Sequence, residues 1–375
     1  ALESAMTMTE LDDIYRPYRP KRKTRASIAK AKGLEPLANA IYEQKKDAPT
    51  PEEMAAEYIN DQVPDVESAL AGASDIIAEM ISDDAALRKS LREAFLSKAM
   101  LTAHGVQEDM GVYEMYADFS EPVSKIASHR VLAVNRGERE EYLKVDVVFD
   151  QGAALKIIFD AHIKEGSLCS QLVKAAAEDA YGRLIFPSIE REIRNTLTDN
   201  ASESAIKVFS LNLKQLLMQP PVKGKVTLGF DPGYRMGCKL AVVDGTGKVL
   251  ETSVIYPVPP FSKVEQAKAA VKALCKKYAV EMFAIGNGTA SHETEVFCAD
   301  VIREIGGISY MVVSESGASV YSASKIGAEE FPDFDVNVRS AVSIARRLQD
   351  PLAELVKIDP KAIGVGQYQH DMPQA

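Results

Sequence analysis

The chain has 375 residues, a formal net charge of −10, 46% hydrophobic and 26% charged residues. That length predicts two or three domains with real cores, and the acidic balance speaks against a generic nucleic-acid binder. No apolar run approaches the roughly 18 residues of a membrane span and no signal-peptide pattern opens the chain. The four widely spaced cysteines (Cys169, Cys238, Cys275, Cys298) fit neither a disulfide framework nor a zinc site. The expectation is a cytoplasmic protein without membrane attachment. Both ends, ALESAM and QYQHDMPQA, read as cuts in a longer chain.

Charge is uneven along the sequence. Residues 15–34 hold eight Lys or Arg and no acid. Within them Arg-Pro-Tyr-Arg-Pro cannot continue a helix, because each proline disfavours helix at the residue before it. Arg16, Arg19, Lys21, Arg22, Lys23 and Arg25, with Tyr15 and Tyr18 interleaved, suit phosphate contact and base stacking. The same cluster also suits a solvated face, or an interface paired with the chain's many acids. A helical pattern starts at Ala26.

Residues 35–101 read as helical, with Pro36 and Pro51 where first-turn prolines are tolerated. Asp83 and Asp84 place negative charge before a helix whose buried stripe is expected to be Leu87, Leu91, Phe95 and Leu96. A loop is expected at 105–111, helix at 122–141, and a hairpin over 143–159 turning at Gln151-Gly152. Residues 167–219 read as a long helical region interrupted at Gly182 and Pro187, closed by Gln219-Pro220-Pro221.

Beyond that boundary the pattern changes. Apolar runs at 226–230 and 240–243, separated by Asp231-Pro232-Gly233, predict a hairpin, and 248–256 a third strand. Asp231 then stands at a strand end beside a glycine turn, where a metal, a phosphate or simply the turn amides can meet it. A helix over 262–278, a strand at 281–285, a Gly-Asn-Gly turn into a helix, a strand at 309–313, and helices at 318–328 and 336–348 follow. The order β-β-β-α-β-α-β-α-α suits a mixed sheet with helices on its faces.

Five stretches carry a resemblance: DDIYRPYRPKRKTRA, the run from AYGRLIFPSIERE to KQLLMQPP, GFDPGYRMGCKLAVVD, IGNGTASHETE, and the run from SESGASVYSASKIG to LAELVKI. Together they resemble the bacterial transcription accessory (Tex) family and its eukaryotic relative, a histone-binding elongation factor. The resemblance implies a multidomain α and α/β fold. A helical N-terminal region with a helix-turn-helix-like part (1–110) precedes a second helical region with a long helix (111–221). An RNase H-like YqgF domain, a mixed sheet flanked by helices (222–335), leads to a helical linker (336–375). The family's helix-hairpin-helix and OB-fold RNA-binding domains are missing from this sequence.

The resemblance also implies a function: a nucleic-acid-associated factor in transcription, binding RNA or DNA, with RNA polymerase among its possible protein partners. Arg346 and Arg347 join the basic segment as candidate phosphate contacts. In related nucleases several carboxylates hold two ions roughly 3.5–4 Å apart. Asp231 and Glu315 match two of those acids by position. The segment expected to supply a third offers Arg339 and Ser340, while Asp333, Asp335 and Asp350 lie off the path. The expectation is a degenerate, non-catalytic site without cofactor. The alternatives are a metal-dependent nuclease of Holliday-junction resolvase type using Mg2+ or Mn2+ at Asp231 and Glu315, or a protein-interaction platform. An actin-like ATPase is disfavoured, because no second copy of the hairpin is present to close a nucleotide cleft.

Overall fold

The computed structural model describes residues 7–19 and 23–373. The chain divides into two compact units, one up to Glu203 and one from Ser204.

The first unit is largely helical, and polar caps set its helix starts. Thr24 caps Arg25–Ala31, Thr50 forms a capping box with Glu53 at Pro51–Ala56, and Asp84 accepts from the Ala86 and Leu87 amides at the head of Ala85–Lys98. On that last helix Leu87, Leu91 and Phe95 are buried, but Leu96 is 37% exposed. Nine residues from Leu87 amount to two and a half turns, so Leu96 emerges on the opposite side. Two strands missed in the sequence, β1 (Met100–Gly105) and β2 (Asp118–Pro122), join β3 (Leu143–Val148) in an antiparallel sheet of order β2-β1-β3. Consequently the helix expected at 122–141 is confined to Ser128–Arg139. The expected hairpin at 143–159 is instead β3 followed by the helix Gln151–His162. There Gly152 lies in a first turn capped by Asp150 rather than in a reversal. Gly182 marks a π-helical stretch (Ala180–Ile185) ahead of the long helix Phe186–Leu217.

One buried charge network braces this unit. Arg88, 0% exposed, donates from Nε to Asp13 (2.7 Å) and from Nη2 to Glu192 (2.6 Å) and Ser188 (2.9 Å). Arg92 donates to the same two carboxylates at 2.6 and 2.9 Å. The helix Met8–Tyr15, which carries Asp13 and leads into the basic segment, is thereby tied to Ala85–Lys98 and to the head of the long helix.

The second unit is a five-stranded mixed sheet flanked by helices. Its strands are β4 (Thr227–Asp231), β5 (Cys238–Val243), β6 (Val249–Ile255), β7 (Met282–Gly286) and β8 (Ser309–Val313), in the order β6-β5-β4-β7-β8. β4, β7 and β8 run parallel, and β5 is antiparallel to both its neighbours. On one face Leu228, Phe230, Leu240, Phe283 and Ile285 pack with residues of the helices Val264–Tyr278 and Ser291–Ile305. The other face takes the helix Val336–Gln349 through Ala341, Val342, Ile344 and Ala345. Gly229 permits this contact, since a Cβ there would collide with the Ala341 carbonyl. The predicted helix at 318–328 is two short ones, Ala318–Ala323 and Lys325–Glu330, because Ser324 ends the first and caps the second.

Candidate functional site at the carboxyl ends of the parallel strands

In open sheets of this kind the crevice outside the carboxyl ends of the strands, where the strand order reverses, is the usual ligand position. Here the chain leaves β4 toward β5 and β6, then returns to the other side of β4 as β7 and β8. Asp231 ends β4, Gly286 ends β7, and Glu315 follows β8 by two residues.

Glu315 is held over the turn after β7. Its backbone N–H donates to Asn287 Oδ1 at 3.0 Å. Its carboxylate lies against Gly286 and Gly288 so closely that a Cβ on Gly288 would overlap Oε1, and one on Gly286 would stand 2.6 Å from Oε2 and 3.3 Å from Pro232. Glu315 therefore leans toward the residue that follows Asp231. Its Oε2 is buried with no hydrogen-bond partner. Burial pushes the Asp231 carboxyl up to about 6; Lys239 opposes that rise and the charge of Glu315 adds to it.

Lys239 is the residue that sequence reasoning missed. In the β4–β5 register it stands directly opposite Asp231, so the two side chains share a face. It is 8% exposed, with Nζ 3.6 Å from where a Gly233 Cβ would be. The signal was a single lysine inside the otherwise apolar run Cys238–Val243.

The last helix contributes arginines rather than acids, and they are spent on backbone carbonyls. Arg339 donates from Nη1 to the Ser322 carbonyl at 3.0 Å. Asp335 accepts from the Asn337 amide, a hydrogen bond that holds its carboxyl below the usual range, and Asp350 caps Pro351–Leu355. Arg347, a candidate phosphate contact by sequence, is 2% exposed and donates to the carbonyls of Ser314 (2.7 Å) and Ser316 (2.8 Å) instead. Both carbonyls flanking Glu315 are thus fixed from inside, so Arg347 positions that acid. Burial pushes the guanidinium down to about 10. Arg346 is also engaged: it donates to the Gly247 carbonyl at 2.7 Å, pairs with Glu330 and covers the Phe331 ring.

Of the basic segment, Lys21 and Arg22 lie outside the described residues. Arg16 is half-buried, 3.3 Å from Asp83. Arg19 pairs with Asp12 and stands 6.0 Å over the Tyr15 ring. Lys23 and Arg25 are exposed, and Tyr18 is 76% exposed. A groove of about 560 Å³ beside them is lined by Arg19 and Lys30 but also by Glu79, Asp83 and Asp84.

Residues 225–349 match the family model described as the Tex protein YqgF-like domain, and residues 46–209 match the Tex central region-like model. The chain belongs to the Tex family. Among its relatives is the uncharacterized protein YdcI of Bacillus subtilis, 51% identical over the whole chain and 53% of that protein. Protein tex of Bordetella pertussis is 42% identical over the whole chain and 50% of its own length. The human S1 RNA-binding domain-containing protein 1 is 37% identical over the whole chain and 39% of its own length. The Tex-family chain thus spans about half the length of the bacterial relatives it matches.

Sheets of this nuclease-like shape invite a divalent ion, and the Tex-family pocket does not fit one. Two-metal chemistry needs convergent carboxylates, yet here a lysine stands opposite Asp231 in the strand register and its charge acts on that carboxyl. Among the described residues, no three His, Cys, Asp or Glu side chains are grouped to hold a metal. Likewise, no helix among them is long and apolar enough to cross a membrane.

Proposed function

We propose that this Tex-family chain serves transcription as a nucleic-acid-associated scaffold in the cytoplasm that does not itself cut the strand. The observation that carries the reading is the shortage of acids around Asp231: Lys239 stands opposite it in the β4–β5 register, and the last helix offers Arg339 and Ser340 where a nuclease needs a further acid. Relatives named transcriptional accessory protein Tex and S1 RNA-binding domain-containing protein 1 support the transcription and nucleic-acid parts of it. Nucleic-acid contact is assigned to Arg19, Lys21, Arg22, Lys23 and Arg25 with Tyr18 beside them, and a protein contact with the transcription machinery, RNA polymerase first, accompanies it.

The test is incubation of the purified chain with branched and single-stranded DNA and RNA in Mg2+ or Mn2+. Intact substrate is expected. Cleavage that disappears in Asp231→Asn would establish the second reading, a metal-dependent nuclease, which the approach of Glu315 toward Pro232 favours. Binding should weaken steeply as salt rises and fall on joint charge reversal of Lys21, Arg22 and Lys23.

A further inference from the structure

We propose that Lys239 is the resident cation of the Asp231–Glu315 pocket: its ammonium supplies, from within the sheet, the positive charge a divalent ion would bring, and so keeps metal out. The inference rests on the non-catalytic reading and gives it a physical cause.

Three observations carry it. First, β5 lies between β4 and β6, so Lys239 has no sheet edge to escape over. A long cationic side chain normally carries its charge to water along an apolar stem, and burying it is costly unless acids face it. Lys239 is nevertheless more than nine-tenths buried, directly across from Asp231. Second, the ammonium lies beside the turn after Asp231. Nζ stands 3.6 Å from the Gly233 Cβ position, an ordinary contact distance, while the Gly237 carbonyl, 3.1 Å from that position, is what keeps the turn tight. Third, among the described residues the pocket has no second cation free to take the place of Lys239. Asp231 and Glu315 have Lys239 beside Asp231 and Arg347 behind Glu315, but Arg347 is spent on the Ser314 and Ser316 carbonyls and Glu315 Oε2 has no partner. Removing the ammonium leaves the Asp231 carboxylate without a facing cation and Glu315 Oε2 still unpartnered, in a partly desolvated pocket on rigid strand ends. Such a pocket takes up a hard cation through its carboxylate oxygens.

The experiment compares the 375-residue chain with Lys239→Met, Lys239→Arg and the double variant Lys239→Met with Asp231→Asn. Mn2+ is titrated against each, with the free-ion electron paramagnetic resonance signal and the melting temperature as readouts. Lys239→Met is expected to take up about one Mn2+ per chain, binding at least about tenfold tighter than wild type and melting higher in its presence. Lys239→Arg, which keeps the charge, should behave as wild type, and Asp231→Asn should erase the gain. If Lys239→Met fails to melt cooperatively, Lys239→Gln carries the same comparison. Equal Mn2+ uptake by wild type and the neutral variant, or a gain that survives Asp231→Asn, overturns the inference. Cleavage of nucleic acid by wild type would instead overturn the proposed function, so the two failures are distinguishable.

Discussion

The molecule buries charge in two places and treats it differently. Around Arg88 two guanidiniums meet two carboxylates, and Asp13 and Glu192 each accept from both arginines. Around Asp231 the carboxylates are not closed by the cations beside them: Arg347 is spent on backbone carbonyls, Glu315 Oε2 has no partner, and burial pushes the Asp231 carboxyl up to about 6. Each place keeps a buried polar atom without a partner, Arg88 Nη1 in the first and Glu315 Oε2 in the second, so what differs is the acids. A network whose carboxylates are all met contributes to a unique fold, whereas an unmet carboxylate fits binding or descent from a binding site. How fully the acids are met therefore separates brace from pocket better than burial does.

The largest expected effect is on the brace. Arg88→Leu leaves two carboxylates, Asp13 and Glu192, sharing Arg92 alone beside an apolar side chain, which should cost roughly 3–5 kcal/mol in urea unfolding. A loss below about 1 kcal/mol would show that the network is weaker than its geometry implies. The pocket should respond with the opposite sign. Asp231 titrates from an ordinary 3.8 to about 6 in the fold, so the folded chain holds its proton more tightly. Stability then declines as pH rises from about 4 to about 6, and by pH 7 the ionised carboxyl costs about 3 kcal/mol. Asp231→Asn removes that slope, so its advantage over wild type should grow across this window and be absent below it. An advantage that did not vary with pH would mean the group is not desolvated. Next in size is Gly288→Ala, whose Cβ meets the Glu315 carboxylate. It should cost roughly 1–3 kcal/mol alone and much less with Glu315→Ala, a coupling that a double-mutant cycle in urea measures.

Those residues differ in how visible they were before the fold was known. Asp231 and Glu315 end short apolar runs bounded by Pro, Gly and Ser, and such punctuation places strand ends well. Lys239 was hidden because its partner depends on register, which in turn depends on the length of the 232–237 turn. Arg346 and Arg347 looked like a solvated pair at a helix end. Which of them turns inward is decided by the Ser314 and Ser316 carbonyls, both more than thirty residues away. In the first unit β1 and β2 were lost because MLTAHG follows a helix without a breaker and DFSEP carries a single apolar aromatic. Gln151-Gly152 looked like a reversal because turn chemistry and a capped first helical turn use the same small residues.

The smallest effect on stability, and the sharpest on function, is expected at the basic segment, where charge is neither closed nor buried. Arg19 and Asp12 are both half exposed, so Arg19→Ala should change stability by less than about 1 kcal/mol. If the segment follows a phosphate backbone, each cation removed should flatten the dependence of log affinity on log salt by about one unit, whatever the base sequence. Arg25→Ala should do the same, since its side chain is exposed at the head of Arg25–Ala31. Arg16→Ala is the internal contrast. Its guanidinium is spent on Asp83 and lowered by burial, so it should cost stability and leave the slope alone. Equal slopes for all three variants and wild type would turn the segment into a structural brace like the one it follows.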